Sequence, residues 1–276
     1  MTCPPVPHLL GPDGFPLFSL ADINQLPREE KEKIYGALIP KTLFDRFGID
    51  RQTFRGVDGG RKVRFIAPSG LGLLRIEVRL QPADRDCMFF VELADTPFGQ
   101  IELSFCIVND PAAPRFDIDL DTDGRDNCFG TLRRNLPEER RAMAAGLAPH
   151  QVRPGMHLFS DFFQRFEALV ASLGVSTIVA EPLSYDNAVR YEKYGFDYIT
   201  GKQLMLWIDR EFRPGGVLTR RLDGSSPFRC PGQENSVRGR SWAIHDGILG
   251  RTWDGVRIYK VPGVHAEVDT FPGRRF

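Results

Sequence analysis

The stretch LFSDFFQRFEALVASLGVSTIVAEPLSYDNAVRYEKYGF, residues 158–196, decides the fold class of this chain. Apolar side chains recur in its first part at steps of three and four, which predicts a helix over residues 158–173 with one buried face. Gly174 ends that helix, and the β-branched run at 175–180 predicts a short buried strand. A second helix is predicted over residues 185–194. This order of helix, strand and helix predicts a sheet that helices cover on at least one face.

The end of the stretch resembles the GCN5-related N-acetyltransferase superfamily. Residues 191–196 read Tyr-Glu-Lys-Tyr-Gly-Phe, which is similar to the Tyr-Glu-Lys-x-Gly-Phe sequence that closes the fourth helix of that family. The upstream helix, Gly174 and the strand after it fit the family's third helix and fifth strand. The resemblance covers residues 100–210 and implies an α/β (α+β) fold, with a mixed, mostly antiparallel sheet flanked by helices.

This resemblance implies transfer of an acyl group, with acetyl expected, from a coenzyme A thioester to an amine by direct attack. It assigns Tyr191 as the general acid that protonates the departing thiolate, with Tyr194 in its place if the register shifts. Asp119 or Glu102 would act as the base, because a protonated amine cannot attack a thioester. A strand amide near a β-bulge would polarise the carbonyl. The pantetheine arm would lie in a slot between splayed strands beside residues 175–180.

The resemblance also implies a site for the donor's phosphates before the helix that starts at residue 158. Its candidate residues are Gln151, Arg153, Gly155 and Met156. Asn187, on the later helix, is a further candidate cofactor contact. Free amides at a helix N-terminus attract a pyrophosphate, and Arg153 can compensate for the amide that Pro154 lacks. The expected cofactor is therefore acetyl-coenzyme A or another acyl-coenzyme A, without a tightly bound group.

Two alternatives stay open because only one glycine of the family's phosphate loop is present, and because Ser184 stands where the family has Asn. The donor could be an acyl carrier protein, which would dock on a basic surface formed by Arg133, Arg134, Arg140 and Arg141. The chain could also be a non-catalytic ligand-binding module of the same fold. The acceptor would be an amine on a small molecule or a protein.

The composition limits the partners and the cell compartment that we expect for this chain. Lys and Arg number 36, as do Asp and Glu, so no global field draws the chain to nucleic acid or an anionic membrane. Five cysteines without paired spacing argue against a disulfide framework or a zinc site and fit a reducing cytoplasm. Residues 1–20 lack the features of a signal peptide, and no apolar run reaches the ~20 residues that span a bilayer. We expect a cytoplasmic protein without a membrane span.

Two further motifs invite a functional interpretation. Residues 119–124 copy the first half of a calcium loop, but Gly130 stands where a bidentate Glu is needed, so an Asp-Gly turn and no metal site is predicted. His245 and Asp246 are adjacent in sequence, and neighbours rarely face each other. We interpret them as a structural polar pair.

Along the chain, the pattern predicts an arm at 1–14, a domain at 15–210 with a helical insertion at about 122–157, and an extension at 211–276 that packs on the core. Further helices are predicted at 27–39, 42–47 and 137–145. Alternation of apolar and polar residues, or short apolar runs, predict strands at 15–20, 63–67, 73–80, 88–93, 101–108, 116–120 and 203–208.

Overall fold

A computed structural model describes residues 7–128 and 133–273 of the chain, which form two compact units. The first unit contains the described residues up to Ala112, together with Gly155–Ala180 and Lys260–Val264. The second unit contains the described residues of Ala113–Pro154, then Glu181–Tyr259 and the described residues from His265 onward. Each unit is therefore assembled from separate stretches, and residue 210 lies inside the second unit.

The first unit combines a five-stranded sheet with four helices. Its elements are α1 Leu20–Gln25, α2 Arg28–Gly36, α3 Lys41–Phe47, β1 Val63–Ile66, β2 Leu73–Val78, β3 Phe89–Asp95, β4 Ile101–Val108, α5 Phe159–Ser172 and β5 Ile178–Ala180. Strands β1 to β4 form an antiparallel meander in chain order, and β5 lies parallel to β4. The parallel pairing is possible because α5 carries the chain back along the sheet.

One face of this sheet is apolar and the other is polar. Ile76 of β2 is opposite Val91 of β3, and both are buried. The next pair along, Arg75 and Glu92, forms an ion pair of 2.6 Å on the other face. Helix α5 packs on the apolar face, since the Phe162 ring lies edge-on to the Phe89 ring of β3 with the centroids 5.5 Å apart. The period-two pattern of the strands thus fixes which face carries the helices.

Buried polar contacts fix α1 against the sheet. The Asp95 carboxylate, at the end of β3, accepts the first amides of α1 at 3.0 and 2.9 Å. The Asn24 amide donates to the carbonyls of Leu71 and Leu73, and the Tyr35 hydroxyl donates to Asn24 Oδ1 at 2.6 Å. Because Asn24 and Tyr35 are fully buried, each bond satisfies a group that water cannot reach.

The second unit is mainly helical. Its elements are α4 Leu136–Ala144, α6 Tyr185–Glu192, β6 Asp197–Thr200, α7 Lys202–Glu211, α8 Val217–Arg220, a short 3₁₀ helix Gln233–Asn235, α9 Val237–His245 and β7 Arg257–Lys260, whose last residue belongs to the first unit. Strands β6 and β7 are antiparallel. A core of Phe116, Ile118, Ala142, Leu147, Phe228 and Trp242 joins α4 to α9.

Three strand predictions are wrong. Residues 15–20 form only a single bridge at Pro16, and α1 begins directly afterwards because Ser19 caps it by accepting the Asp22 amide. Residues 116–120 form a turn that ends in a bridge between Leu120 and Asp126. Residues 203–208 are part of α7, because the buried side chains of Met205, Ile208 and Asp209 follow the helical repeat.

The predicted fold class is confirmed: the structure is mixed α/β, with seven strands in the described ranges, mostly antiparallel, flanked by helices. The helices predicted around residues 27–39, 42–47, 137–145, 158–173 and 185–194 are present as α2, α3, α4, α5 and α6. Within residues 7–128 and 133–273, no helix is both long and apolar enough to cross a membrane.

Candidate functional site

Strand β4 contains a β-bulge at Ser104. In the register of β3 and β4, Glu92 pairs with Phe105 and Leu93 pairs with Leu103, which leaves Ser104 without a partner residue. The backbone hydrogen bonds at the two ends of β4 show the same irregularity. The Ile101 amide donates to Thr177 beside β5, whereas the Asn109 amide donates to Met88 beside β3. In a regular strand, amides an even number of residues apart point to the same side. Ile101 and Asn109 are eight residues apart but their amides point to opposite sides, because the extra residue of the bulge changes the direction of every amide after it.

The bulge determines which β4 amides face the β5 side. Counting back from Asn109, whose amide points toward β3, the backbone groups of Val108 and Cys106 point the other way. Strand β5 is in register with β4 only at Ile101 and Glu102, opposite Ile178 and Val179. Among the described residues of β5, none is registered with β4 beyond Glu102. The amides of Cys106 and Val108 therefore lie on a strand edge that β5 does not cover.

The turn before α5 lies at the end of this edge. A Cβ at Gly155 would lie 3.0 Å from the carbonyl oxygen of Val108, so the turn passes close to the backbone of β4 there. Gly155 and His157 are exposed, and His157 has a φ of 59°. Leu158 occupies the N-cap position and cannot cap the helix with its side chain. The N-terminal amides of a 14-residue helix thus begin next to the part of β4 that β5 does not pair with.

Charge at this helix end is balanced locally. Asp161 lies in the first turn of α5 and accepts a hydrogen bond from Arg165 at 2.7 Å. The carboxylate therefore does not leave a net negative charge at the helix N-terminus. We define the donor edge as residues 103–108 of β4, the turn at 155–158 and the first turn of α5. All of it belongs to the first unit.

The predicted phosphate-binding residues separate into two groups. Gly155 and Met156 lie in the turn of the donor edge. Gln151 and Arg153 belong to the second unit, where both side chains serve the local backbone. The side-chain oxygen Gln151 Oε1 accepts the Ala148 amide at 2.8 Å, and the Arg153 guanidinium donates to the backbone carbonyl of Ala113. The structure therefore gives these two side chains structural contacts.

The two predicted bases differ in their surroundings. Glu102 lies on β4, where it pairs with Ala94 of β3 and Val179 of β5, and its side chain is half-buried. Asp119 is not on a strand but in a turn, where Arg115 binds both carboxylate oxygens at 3.0 and 2.8 Å. Asp119 was assigned as a base because it was predicted to lie on a central strand, and that placement is wrong.

Tyr191 and Asn187 are both on α6 of the second unit, and both are partly buried. The Tyr191 ring lies edge-on to Phe196 at 5.0 Å, which fixes the ring at the end of the helix. Tyr194 follows the helix, in the turn that Gly195 completes with a φ of 83°.

The Asp-Gly turn predicted at residues 119–124 is present. The Asp121 carboxylate accepts the amides of Asp123 and Arg125, both at 2.9 Å, and Gly124 has a φ of 78°. These bonds lower the pKa of Asp121, the Arg125 amide having the largest effect. Across the part of the chain that the structure describes, no group of three or more His, Cys, Asp or Glu side chains could hold a metal ion.

A polar network in the second unit was not predicted from the sequence. His245 Nε2 lies 3.3 Å from Glu139 Oε1, and the His150 ring lies edge-on to His245 at 4.8 Å. Arg134 binds Glu139 and, at 2.7 Å, Asp246. The local sign of it in the sequence is the His245–Asp246 pair, which we interpret as a structural polar pair. Its partners are about 100 residues away, beyond the reach of a sequence motif.

The predicted basic patch is partly neutralised. Arg134 is bound to Glu139 and Asp246, and Arg141 pairs with Glu138. Arg133 lies 3.7 Å from Asp123. Arg140 is exposed. Three of the four arginines therefore have acidic neighbours, and the surface carries much less positive charge than the sequence suggests.

Comparison with known proteins gives no match: no family model, no curated protein and no solved structure matches this chain.

Proposed function

We propose that the chain is an acyltransferase that binds an acyl thioester with a pantetheine arm along the donor edge and transfers the acyl group to an amine. One observation carries this proposal: the bulge at Ser104 aims the amides of Cys106 and Val108 to the side where β5 no longer pairs. A pantetheine arm contains amide groups, which can pair with such an edge as an added strand does.

The same edge supports the chemistry. A fixed strand amide can donate to the thioester carbonyl and stabilise the negative charge that develops on its oxygen when the amine attacks. Burial raises the pKa of the Cys106 thiol, which makes it a poor nucleophile at neutral pH. Direct attack by the amine therefore suits the edge better than a covalent acyl-cysteine. Glu102 remains the proposed base. The general-acid role of Tyr191 rests on the resemblance alone, because Tyr191 belongs to the second unit.

Acyl-coenzyme A is the proposed donor, with acetyl-coenzyme A as the first to test. The exposed turn at Gly155 and the uncapped start of α5 offer backbone amides to its phosphates. The partial neutralisation of the four arginines makes a carrier-protein donor the weaker alternative. The scattered cysteines, four of which are free thiols in the structure, support a cytoplasmic location.

Replacing the Cys106 amide tests donor binding. In Cys106→Pro the ring removes an N–H that faces away from β3, so the β3–β4 ladder keeps its bonds. We expect the affinity for acetyl-coenzyme A, measured by calorimetry, to fall by about tenfold or more, equivalent to ~1.4 kcal/mol. Cys106→Ala keeps the amide and should bind as the unchanged protein does.

Hydrogen exchange gives a readout that does not depend on the variant. Coenzyme A should slow exchange of the Cys106 and Val108 amides in the unchanged protein. If millimolar coenzyme A and acetyl-coenzyme A give neither heat nor protection, the proposed donor is wrong.

The role of Tyr191 is tested by Tyr191→Phe, which removes only the hydroxyl. If that hydroxyl protonates the leaving thiolate, kcat should fall about 10²-fold or more while the affinity for acetyl-coenzyme A is unchanged. Tyr194→Phe is the matched control, and we expect it to keep kcat. Equal turnover by Tyr191→Phe and the unchanged protein would remove the general-acid assignment.

A further inference from the structure

Two adjacent residues near the end of the described chain are buried in the second unit. Thr270 is 1% exposed and Phe271 is 6% exposed, although the residue on either side of the pair is exposed. Residues 265–269, which precede the pair, form neither helix nor strand and are mostly exposed. We call residues 265–271 the strap. Its last two residues are thus a buried dipeptide at the end of an irregular surface segment.

A buried carboxylate binds the threonine of this dipeptide. Glu192, the last residue of α6, is 2% exposed, and its two oxygens accept the Thr270 hydroxyl at 2.5 Å and the Thr270 amide at 3.1 Å. A carboxylate that accepts both groups of one residue selects serine or threonine. Valine has nearly the shape of threonine, but it would leave one of these bonds to a charged acceptor unmade.

A buried guanidinium binds the phenylalanine. Arg240 of α9 is 4% exposed, and its guanidinium carbon lies over the Phe271 ring, 3.6 Å from the centroid. The face of an aromatic ring attracts a cation, and the attraction is larger when the pair is shielded from water. An aliphatic side chain offers no such attraction. The position after the threonine therefore favours an aromatic residue.

Both charged groups are also held by contacts outside the strap. The Tyr198 hydroxyl of β6 donates to Glu192 at 2.6 Å. The Arg240 guanidinium donates to Asp209 of α7 at 2.9 Å and to the backbone carbonyl of Glu234 at 2.7 Å. Because these partners do not belong to the strap, they orient the carboxylate and the guanidinium without it. A peptide that enters the site therefore meets groups that are already in position.

The exposed part of the strap has features of a segment that opens easily. The Ala266 amide donates to the Gly195 carbonyl at 3.3 Å, and His265 Nε2 lies 3.3 Å from the Lys193 carbonyl, both longer than a typical hydrogen bond. Glu267 has a φ of 54°, a conformation that costs energy in any residue but glycine. Exposed backbone with few buried contacts opens at a lower free energy than the core does.

We infer that Glu192 and Arg240 form a peptide-binding site for a serine or threonine followed by an aromatic residue. In the free chain the strap occupies this site as an internal ligand. A partner protein that presents the same dipeptide in an extended segment takes the place of the strap when the strap opens. All of these residues belong to the second unit, so the site does not depend on acyl transfer at the donor edge.

The double variant Thr270→Ala, Phe271→Ala empties the site and keeps the chain length. Fluorescence polarisation with a labelled peptide of residues 265–273 measures its binding, and we expect micromolar affinity. The unchanged chain should bind the peptide at least about tenfold more weakly, because its own strap competes at a roughly millimolar effective concentration. Phe98→Ala, which removes an exposed ring of the first unit, is the control and should bind as weakly as the unchanged chain.

Altered peptides test the specificity without changing the protein. Valine in place of the threonine, or leucine in place of the phenylalanine, should each weaken binding to the emptied variant by about tenfold. Serine in place of the threonine should keep most of the affinity. The inference is overturned if the emptied variant keeps its circular dichroism spectrum but binds no peptide, or binds all the peptides equally.

Hydrogen exchange of the unchanged chain provides a test that does not depend on the folding of a variant. The Thr270 amide, which donates to Glu192, exchanges when the strap opens. Excess peptide should occupy the open site and speed that exchange at least about tenfold, whereas the valine peptide should not. Equal exchange with and without the peptide would contradict the inference. A dimer in size-exclusion chromatography that the peptide dissociates would make a second copy the occupant and overturn the assignment to a partner protein.

Discussion

His150 adopts a left-handed backbone conformation, with a φ of 68°, and its ring contacts that of His245. Burial, together with the nearby His245, lowers the pKa of His150 to about 4. Burial alone would raise the pKa of Glu139, but the hydrogen bonds from His245 and Arg134 outweigh it and keep that pKa below its ordinary value. The network therefore holds a neutral histidine beside a charged carboxylate at neutral pH.

This arrangement predicts a stability that depends on pH. His150 binds its proton near pH 6.5 when unfolded and near pH 4 when folded, so its contribution is complete above 6.5 and is lost as pH falls toward 4. The loss should be about 2–3 kcal/mol. His150→Asn, which tolerates the same φ, should flatten the fall between pH 6.5 and 4 in urea unfolding measurements.

His157→Asn is the control, because His157 also has a positive φ but is exposed. It should keep the full pH dependence. An equally steep fall in His150→Asn would mean that another group carries the effect.

At the scale of single residues, the sequence predicts what is decided within a few positions. Asn135 caps α4 and Gly174 ends α5 with a φ of 68°, both as the sequence indicates. The bond between Glu139 and His245 joins residues 106 apart, and no local pattern encodes it. Gly155 was predicted as part of the donor site for a local reason, its place before a helix.

At the scale of elements, alternation predicted β4 with its bounds, because Ile101–Val108 alternates in a pattern that tolerates one extra residue. The position of the bulge could not be predicted from the sequence, because a bulge is defined only by how β4 pairs with β3. The amides that the proposed chemistry uses therefore come from pairing between strands.

Two of the three mistaken strands show the same limit. The residues at 116–120 alternate between apolar and acidic, but Arg115 binds Asp117 and Asp119 and stabilises a turn there. The apolar run at 203–208 is short enough to suit a strand or a helix, and burial of Met205 and Ile208 in the second unit decides for α7. Short apolar runs are ambiguous until their surroundings are known.

At the scale of the whole molecule, the short segment Lys260–Val264 completes the first unit. The buried Lys260 ammonium lies 3.0 Å from the Glu167 carboxylate of α5 and donates to the Val264 carbonyl at 2.6 Å. Glu167 also accepts the Gly263 amide at 2.7 Å. One carboxylate thus joins a late segment of the chain to an earlier helix.

Removing this contact should weaken the first unit. In Lys260→Met the Glu167 charge loses its cation, and we expect a loss of about 1–3 kcal/mol in the free energy of unfolding by urea. Lys260→Met combined with Glu167→Gln, which can still accept the Gly263 amide, should recover part of the loss. A single variant as stable as the unchanged protein would show that the ion pair contributes nothing measurable.

The position of residues 260–264 also has a consequence for biosynthesis. While a ribosome is still making residues 181–259, Glu167 has neither Lys260 nor Gly263 to bind. The contacts that tie this segment to α5 therefore form only after translation has reached the last piece of the first unit.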